Sequence, residues 1–133
     1  MPKKSRVAPV KIPKADWLRK IDPPMGSIEG KTIGTHCVII RYATDKVGEG
    51  PNLHVHPYDE LFNILEGKAE FTVGDQVFTA EAGDVVFGPA NIPHAYKNIG
   101  PGRLDSLDVH LNEEWIQYDL PRDGEELVAS KLV

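Results

Sequence analysis

Residues 48–67, GEGPNLHVHPYDELFNILEG, decide how the rest of this 133-residue chain is read. His54 and His56 are separated by one residue and Glu60 follows four positions later, in a stretch bracketed by glycine. In a strand, side chains two apart point to the same face, so an extended His-Val-His presents both imidazoles to one ion. A helix would send them about 200° apart. The step Pro57-Tyr58-Asp59 turns the chain, and Glu60 opens a strand expected over Leu61 to Leu65, from which its carboxylate can re-enter the same cavity.

A second stretch, residues 83–98, GDVVFGPANIPHAYKN, completes the pattern. A strand over Asp84 to Phe87 is expected to meet a turn at Gly88-Pro89-Ala90-Asn91, and a further strand carries His94 toward the same interior. Together the two stretches resemble the paired signature motifs of the cupin superfamily. The first motif asks for Gly, five residues, His-x-His, three or four residues, Glu, six residues and Gly, and Gly48, His54, His56, Glu60 and Gly67 fill every position. The second asks for Gly, five residues, Pro-x-Gly, two residues, His, three residues and Asn, matched by Gly83, Pro89, His94 and Asn98. Asn91 stands where that motif has glycine, and asparagine tolerates positive φ better than most other side chains.

The resemblance implies an all-β, single-domain jelly-roll barrel and a small cupin with one copy of each motif. It implies four ligands, His54, His56, Glu60 and His94, for a divalent transition metal: Fe, Mn, Ni, Co or Zn. A single buried histidine is ordinarily a hydrogen-bonded core residue. Three imidazoles and a carboxylate buried with nothing to coordinate compete for few partners, a cost that a cation removes.

Size and composition agree with one soluble globule: 41% hydrophobic and 26% charged residues, with no apolar run long enough to span a membrane. The start, MPKKSRVAPVKIPK, lacks an apolar h-region, so a cytoplasmic protein is expected. The single Cys37 excludes an intramolecular disulfide and reads as a buried small hydrophobe. Seven of the first twenty residues are Lys or Arg against the single acid Asp16, which leaves eight bases and nineteen acids behind them. This basic arm has few aromatics and no nucleic-acid-binding motif, so no nucleic-acid or membrane partner is expected. Val7 to Ile12 could add as an edge strand to an acidic neighbouring subunit. Single-barrel cupins are commonly dimers, so the resemblance implies a homodimer that exchanges terminal segments.

The sequence divides into an arm and loop (1–30), the barrel (31–112) and a tail packing on the barrel or a partner (113–133), with short helical turns near both termini. A turn of helix is expected over Ala15 to Ile21, then a loop broken by Pro23-Pro24 and Gly26. Thr32 to Tyr42 reads as a strand with His36 on its mostly apolar face, structural or at the pocket edge. Lys68 to Val73 and Gln76 to Ala80 alternate and are joined at Gly74-Asp75 as a hairpin. In the strand Leu104 to Leu111, the face of Leu107, Val109 and Leu111 is expected to be buried. Ser106, Asp108 and His110 should then face solvent, unless Asp108 or His110 lines a polar pocket. Asn112 is placed to cap one helical turn through Ile116, and Pro121 and Gly124 argue against a longer helix.

Tyr96 shares the strand parity of His94 and is the candidate catalytic side chain, able to donate to a bound oxygen or act as acid or base. Phe62 and Ile64, with the parity of Glu60, are expected to line the cavity. The function most consistent with these residues is a metal-dependent, dioxygenase-like enzyme acting on a small organic molecule. A non-oxidative isomerase or lyase on the same metal, or a non-catalytic ligand-binding barrel, fits the same motifs, because cupins host unrelated activities.

Overall fold

The computed structural model describes residues 1–120 and the strand Val128–Ala129. One helical turn, α1 (Lys14–Trp17), precedes twelve strands: β1 (Leu18–Ile21), β2 (Pro24–Glu29), β3 (Val38–Thr44), β4 (His54–Val55), β5 (Glu60–Glu66), β6 (Lys68–Val73), β7 (Gln76–Glu81), β8 (Val85–Gly88), β9 (His94–Asn98), β10 (Leu104–His110), β11 (Tyr118–Asp119) and β12 (Val128–Ala129). They form two antiparallel six-stranded sheets, ordered β1-β2-β3-β10-β5-β8 and β12-β11-β4-β9-β6-β7. This is the expected all-β, jelly-roll arrangement, as two facing sheets that do not join into a closed ring.

The register of the first sheet places the interior. Three cross-strand rows face inward: Tyr42–Ser106–Ile64, Ile40–Asp108–Phe62–Val86 and Val38–His110–Glu60–Gly88. The first two rows carry apolar side chains into a core of Phe62, Ile64, Ala69, Phe71, Ala80, Val86, Tyr96 and Leu104. Phe71 stacks on Tyr96 at 4.9 Å and meets Phe62 edge-on at 5.2 Å, so an aromatic cluster floors the cavity between the sheets. The third row ends the core and begins the polar site.

This register reverses the reading of β10. Ser106, Asp108 and His110 are buried, whereas Leu107 and Val109 are only half-buried and Leu111 is 48% exposed. Alternation alone assigns the apolar face to the core. It fails here because β10 is paired on both sides, by β3 and β5, and the interior it faces is itself partly polar.

Two turns depend on left-handed backbone. Gly67 sits at φ +83° between β5 and β6, where a Cβ would stand 2.1 Å from the Arg103 carbonyl oxygen. Asn91 adopts φ 62°, so asparagine does what glycine does in the cupin motif.

Near the ends the structure corrects several expectations. The helical turn stops at Trp17, and Leu18–Ile21 and Pro24–Glu29 form a hairpin in place of helix and loop; Gly26 lets them close, since a Cβ there would lie 2.3 Å from the Trp17 carbonyl oxygen. The strand expected from Thr32 begins only at Val38, because 30–37 closes as a loop in which Gly30 accepts the amides of Ile33, Gly34 and Thr35 and donates to Cys37. His36 therefore lies in solvent, 3.8 Å from Glu113, neither core nor pocket edge, and Cys37 is only half-buried. Residues 112–117 form no helical turn: residues 112–114 bend, and the Trp115 amide donates to Glu29 and the Ile116 amide to Tyr58 in place of bonds within a helix. No strand forms over Val7 to Ile12 within the chain, and Pro121 and Gly124 lie outside the described residues.

Candidate metal centre

Both motifs deliver their histidines to one place. His54 pairs in register with His94 across β4 and β9, and their rings lie 4.4 Å apart. His56 follows two residues on, and the turn at 57–59 returns the chain so that Glu60 enters as the first residue of β5. The turn before His94 is tied to this segment: the Asn91 amide donates to the His56 carbonyl at 2.8 Å and the Ala90 amide to Asp59 at 2.8 Å. Gly88 makes the remaining room, since a Cβ there would approach Phe62 at 3.1 Å and His94 Nδ1 at 3.4 Å. Asn98, the last motif residue, is structural: its side chain donates to Gly102 and Thr44 and accepts from Gly100.

All four expected ligands are buried, and one ligand atom from each lies within 4.8 Å of the others. His56 Nε2 and His94 Nε2 approach Glu60 Oε1 at 3.1 and 3.3 Å, yet none of these three atoms makes a hydrogen bond. Adjacent ligands of an octahedral ion with bonds of about 2.1 Å are separated by about 3.0 Å, so the spacing suits a cation between them. The cluster could hold a metal ion, and the converging unpartnered atoms are the observation that fits one.

For two of the three histidines a backbone carbonyl fixes which nitrogen faces inward, whereas His94 Nδ1 has no hydrogen-bond partner. His56 Nδ1–H donates to the Ile116 carbonyl at 2.8 Å and His54 Nδ1–H to the Asn52 carbonyl at 2.5 Å, which leaves each Nε2 lone pair free. Burial, reinforced by His94, lowers His54 to about 4, so it is neutral and ligand-competent at neutral pH. Burial by itself raises the Glu60 carboxyl, but His110, His56 and His94 around it prevail and hold it well below the usual range.

Sequence reasoning named His110 only as the alternative to a solvent-facing residue, and missed Tyr58 and the Ile116 carbonyl. His110 Nε2 sits 3.2 Å from Glu60 Oε2, and the Tyr58 hydroxyl donates to its Nδ1 at 2.8 Å while accepting the Ile116 amide. The chain Ile116, Tyr58, His110, Glu60 thus orients the carboxylate from behind. The signal for His110 was its place on a strand flanked on both sides; for Tyr58 and Ile116 the sequence held none.

A cavity of about 620 Å³ lies beside the cluster, with His54 and Glu60 among the residues that line it. Its walls are apolar at Met25, Ile40 and Phe62 and polar at Tyr96 and Asp108; Trp115, Gln117 and Leu120 of the C-terminal strap line it as well. Ile64 belongs to the core beneath instead. Tyr96 faces the cavity as its parity predicts, but its hydroxyl is directed to Asp108 Oδ2 at 3.0 Å and lies 3.3 Å from Ser106 Oγ. Burial, with the Glu60 charge adding, pushes the Asp108 carboxyl well above the usual range.

Residues 41–110 match the cupin domain family. The chain belongs to the cupins. Among relatives, a xanthan biosynthesis protein, XanB, of Xanthomonas campestris is 28% identical over 109 residues, covering 81% of this chain and 23% of that protein. This cupin therefore spans about a quarter of the length of that relative. Oxalate decarboxylase of Lactobacillus farciminis, solved as a formate complex, superposes with TM-score 0.66 at 25% identity over 73% of this chain and 31% of that one. Oxalate decarboxylase of Bacillus subtilis, a protein with Mn(II) centres, gives TM-score 0.67 at 23% identity over 73% and 28%, a likeness of fold. Among the described residues no helix is long and apolar enough to cross a membrane.

Proposed function

We propose that this cupin is a metal-dependent enzyme acting on a small organic molecule, with His54, His56, Glu60 and His94 holding one divalent transition ion. The observation that carries the reading is the convergence of three buried atoms without hydrogen bonds, His56 Nε2, His94 Nε2 and Glu60 Oε1, beside a cavity of substrate size. An ion held there supplies a Lewis acid that polarises a substrate oxygen and, if redox-active, an electron source for dioxygen. The chain's own residues do the rest. Met25, Ile40 and Phe62 keep water from the reacting end, the 115–120 strap covers one side, and Asp108 places a carboxyl group in the wall.

A dioxygenase-like reaction follows the expectation from the motifs. The buried Asp108, whose carboxyl burial pushes above the usual range beside the cavity, favours a second reading, a non-oxidative isomerase or lyase that uses acid–base chemistry. Turnover screens of small carbonyl and carboxylate compounds on Fe- and Mn-reconstituted protein, with and without oxygen, separate the two. Oxygen consumed in step with product supports the first, and equal turnover under strict anaerobiosis supports the second. Protein that binds metal but returns every compound unchanged supports neither and makes the barrel a binding module.

The same proposal includes a homodimer. Its support is an outward apolar row across five strands, Ile28–Ile39–Val109–Leu61–Phe87, with Phe87 54% exposed, and an acidic body suited to a neighbour's basic arm. Light scattering should give a dimer that Phe87→Glu converts to monomer; a wild-type monomer at high concentration overturns it.

A further inference from the structure

The basic N-terminal segment contributes one cation to the cavity. Between Leu18, which pairs with Gly26, and Lys20, which pairs with the next residue Met25, β1 carries Arg19 as an extra residue. This is a bulge, the irregularity that re-aims a side chain beside a site. Arg19 and Met25 both line the cavity that His54 and Glu60 line, and Arg19 is exposed rather than sealed in the wall. Among the described residues its guanidinium has no hydrogen bond and no ion pair. The other charged groups of that wall, apart from the ligand cluster, are engaged. Arg41 donates to both oxygens of Asp105 at 2.7 Å, Asp108 accepts the Tyr96 hydroxyl at 3.0 Å, and Asp119 accepts the Gln117 amide at 2.9 Å.

We infer that Arg19 is a specificity-determining residue and that this cavity takes an organic anion, with a carboxylate or phosphate group at Arg19, an apolar body against Met25, Ile40 and Phe62, and a polar end at the metal. The inference rests on the metal-centre reading above. A guanidinium fork matches two oxygens of a carboxylate or phosphate, and a ligand that covers Arg19 with its apolar body shields that pairing from water. A ligand carrying an ammonium group there meets repulsion instead. Arg19 lies outside both histidine motifs, so the preference for an anion belongs to the N-terminal hairpin and is separable from the metal ligands.

The test titrates the full chain, loaded with Zn(II), with alkyl hydroxamates by calorimetry; the hydroxamate end binds zinc in every probe. One series ends in a methyl group, one in a carboxylate and one in a phosphonate, each with short, medium and long methylene linkers. We expect wild type to bind the best-fitting anionic probe about fivefold or more tightly than its methyl counterpart. The stronger anionic series identifies which group Arg19 takes. Arg19→Gln should abolish the preference and Arg19→Glu should reverse it, with Zn(II) content and affinity for the methyl series unchanged. The inference is overturned if wild type shows no anion preference at any linker length, or if the glutamine and glutamate variants keep it. A chain that takes up no Zn(II), or a loaded chain that binds no hydroxamate, refutes the metal-centre reading and the inference with it.

Discussion

Replacing His110 tests whether the groups behind the ligands matter. In the native arrangement His110 Nε2 lies 3.2 Å from Glu60 Oε2, while Glu60 Oε1 faces the other ligands. His110→Leu keeps the wall filled but removes that donor, so Glu60 is no longer held with one oxygen turned inward. A hydrogen bond to a charged group contributes about 1.5–3 kcal/mol, and the 3.2 Å separation places this one at the lower end. Loss of a partner behind a metal ligand ordinarily weakens binding about 10–100-fold, so about tenfold is expected here. Tyr58 still accepts the Ile116 amide, which limits collateral damage. Competition for Zn(II) against a chromophoric chelator reads the change, with circular dichroism as the folding control. His110→Gln restores a donor and should recover most of the loss. Equal Zn(II) affinity in His110→Leu and wild type would refute the reasoning, as would a glutamine variant as weak as the leucine one.

Asp108 makes a pH-dependent prediction. Its carboxyl is raised in the folded protein, so the native state holds the proton more tightly than the unfolded chain, and stability falls as pH rises from the unfolded carboxylate range toward the native one. Asn does not titrate, so the melting-temperature advantage of metal-free Asp108→Asn should widen as pH rises above the ordinary carboxylate range; a constant or shrinking difference contradicts the assignment. Gly67→Ala should abolish folding in a soluble-expression assay, because its Cβ meets backbone at 2.1 Å and φ is +83°. Asn91→Ala, at φ 62°, should lose about 1–2 kcal/mol in urea unfolding where Asn91→Gly loses little; equal losses would dismiss the left-handed turn as the reason for asparagine. Since Ile116 fixes both His56 and Tyr58, Zn(II) should slow limited proteolysis of the 115–120 strap, and unchanged cleavage would uncouple strap from metal.

The motif residues were legible because their chemistry is local. Two histidines at strand spacing, a glutamate after a tight turn and glycines at positive φ each carry a constraint that survives without coordinates. Strand pairs with two-residue turns, such as β6 and β7 joined at Gly74-Asp75, were legible for the same reason. What stayed hidden depended on neighbours distant in sequence. The inward face of β10 is set by its pairing with both β3 and β5 and by a polar cavity, so a rule that assumes a dry interior assigned Ser106 to solvent and left a pocket position for Asp108 or His110 only as the exception. The strap that fixes His56 is a backbone carbonyl sixty positions away, and no side-chain pattern can announce a carbonyl. The N-terminal hairpin was hidden by Pro23-Pro24, which reads as a loop and here stands at the turn and the first position of β2.

The most direct test of the central claim is X-ray absorption at the metal edge of Zn(II)- or Mn(II)-reconstituted, untagged protein, joined to metal analysis per chain. The account predicts one ion per chain with a first shell of three imidazole nitrogens and carboxylate oxygen, and loss of both the ion and the imidazole signal in His56→Ala and His94→Ala. Stoichiometric metal with an all-oxygen shell, or a protein that remains metal-free after reconstitution, would contradict it.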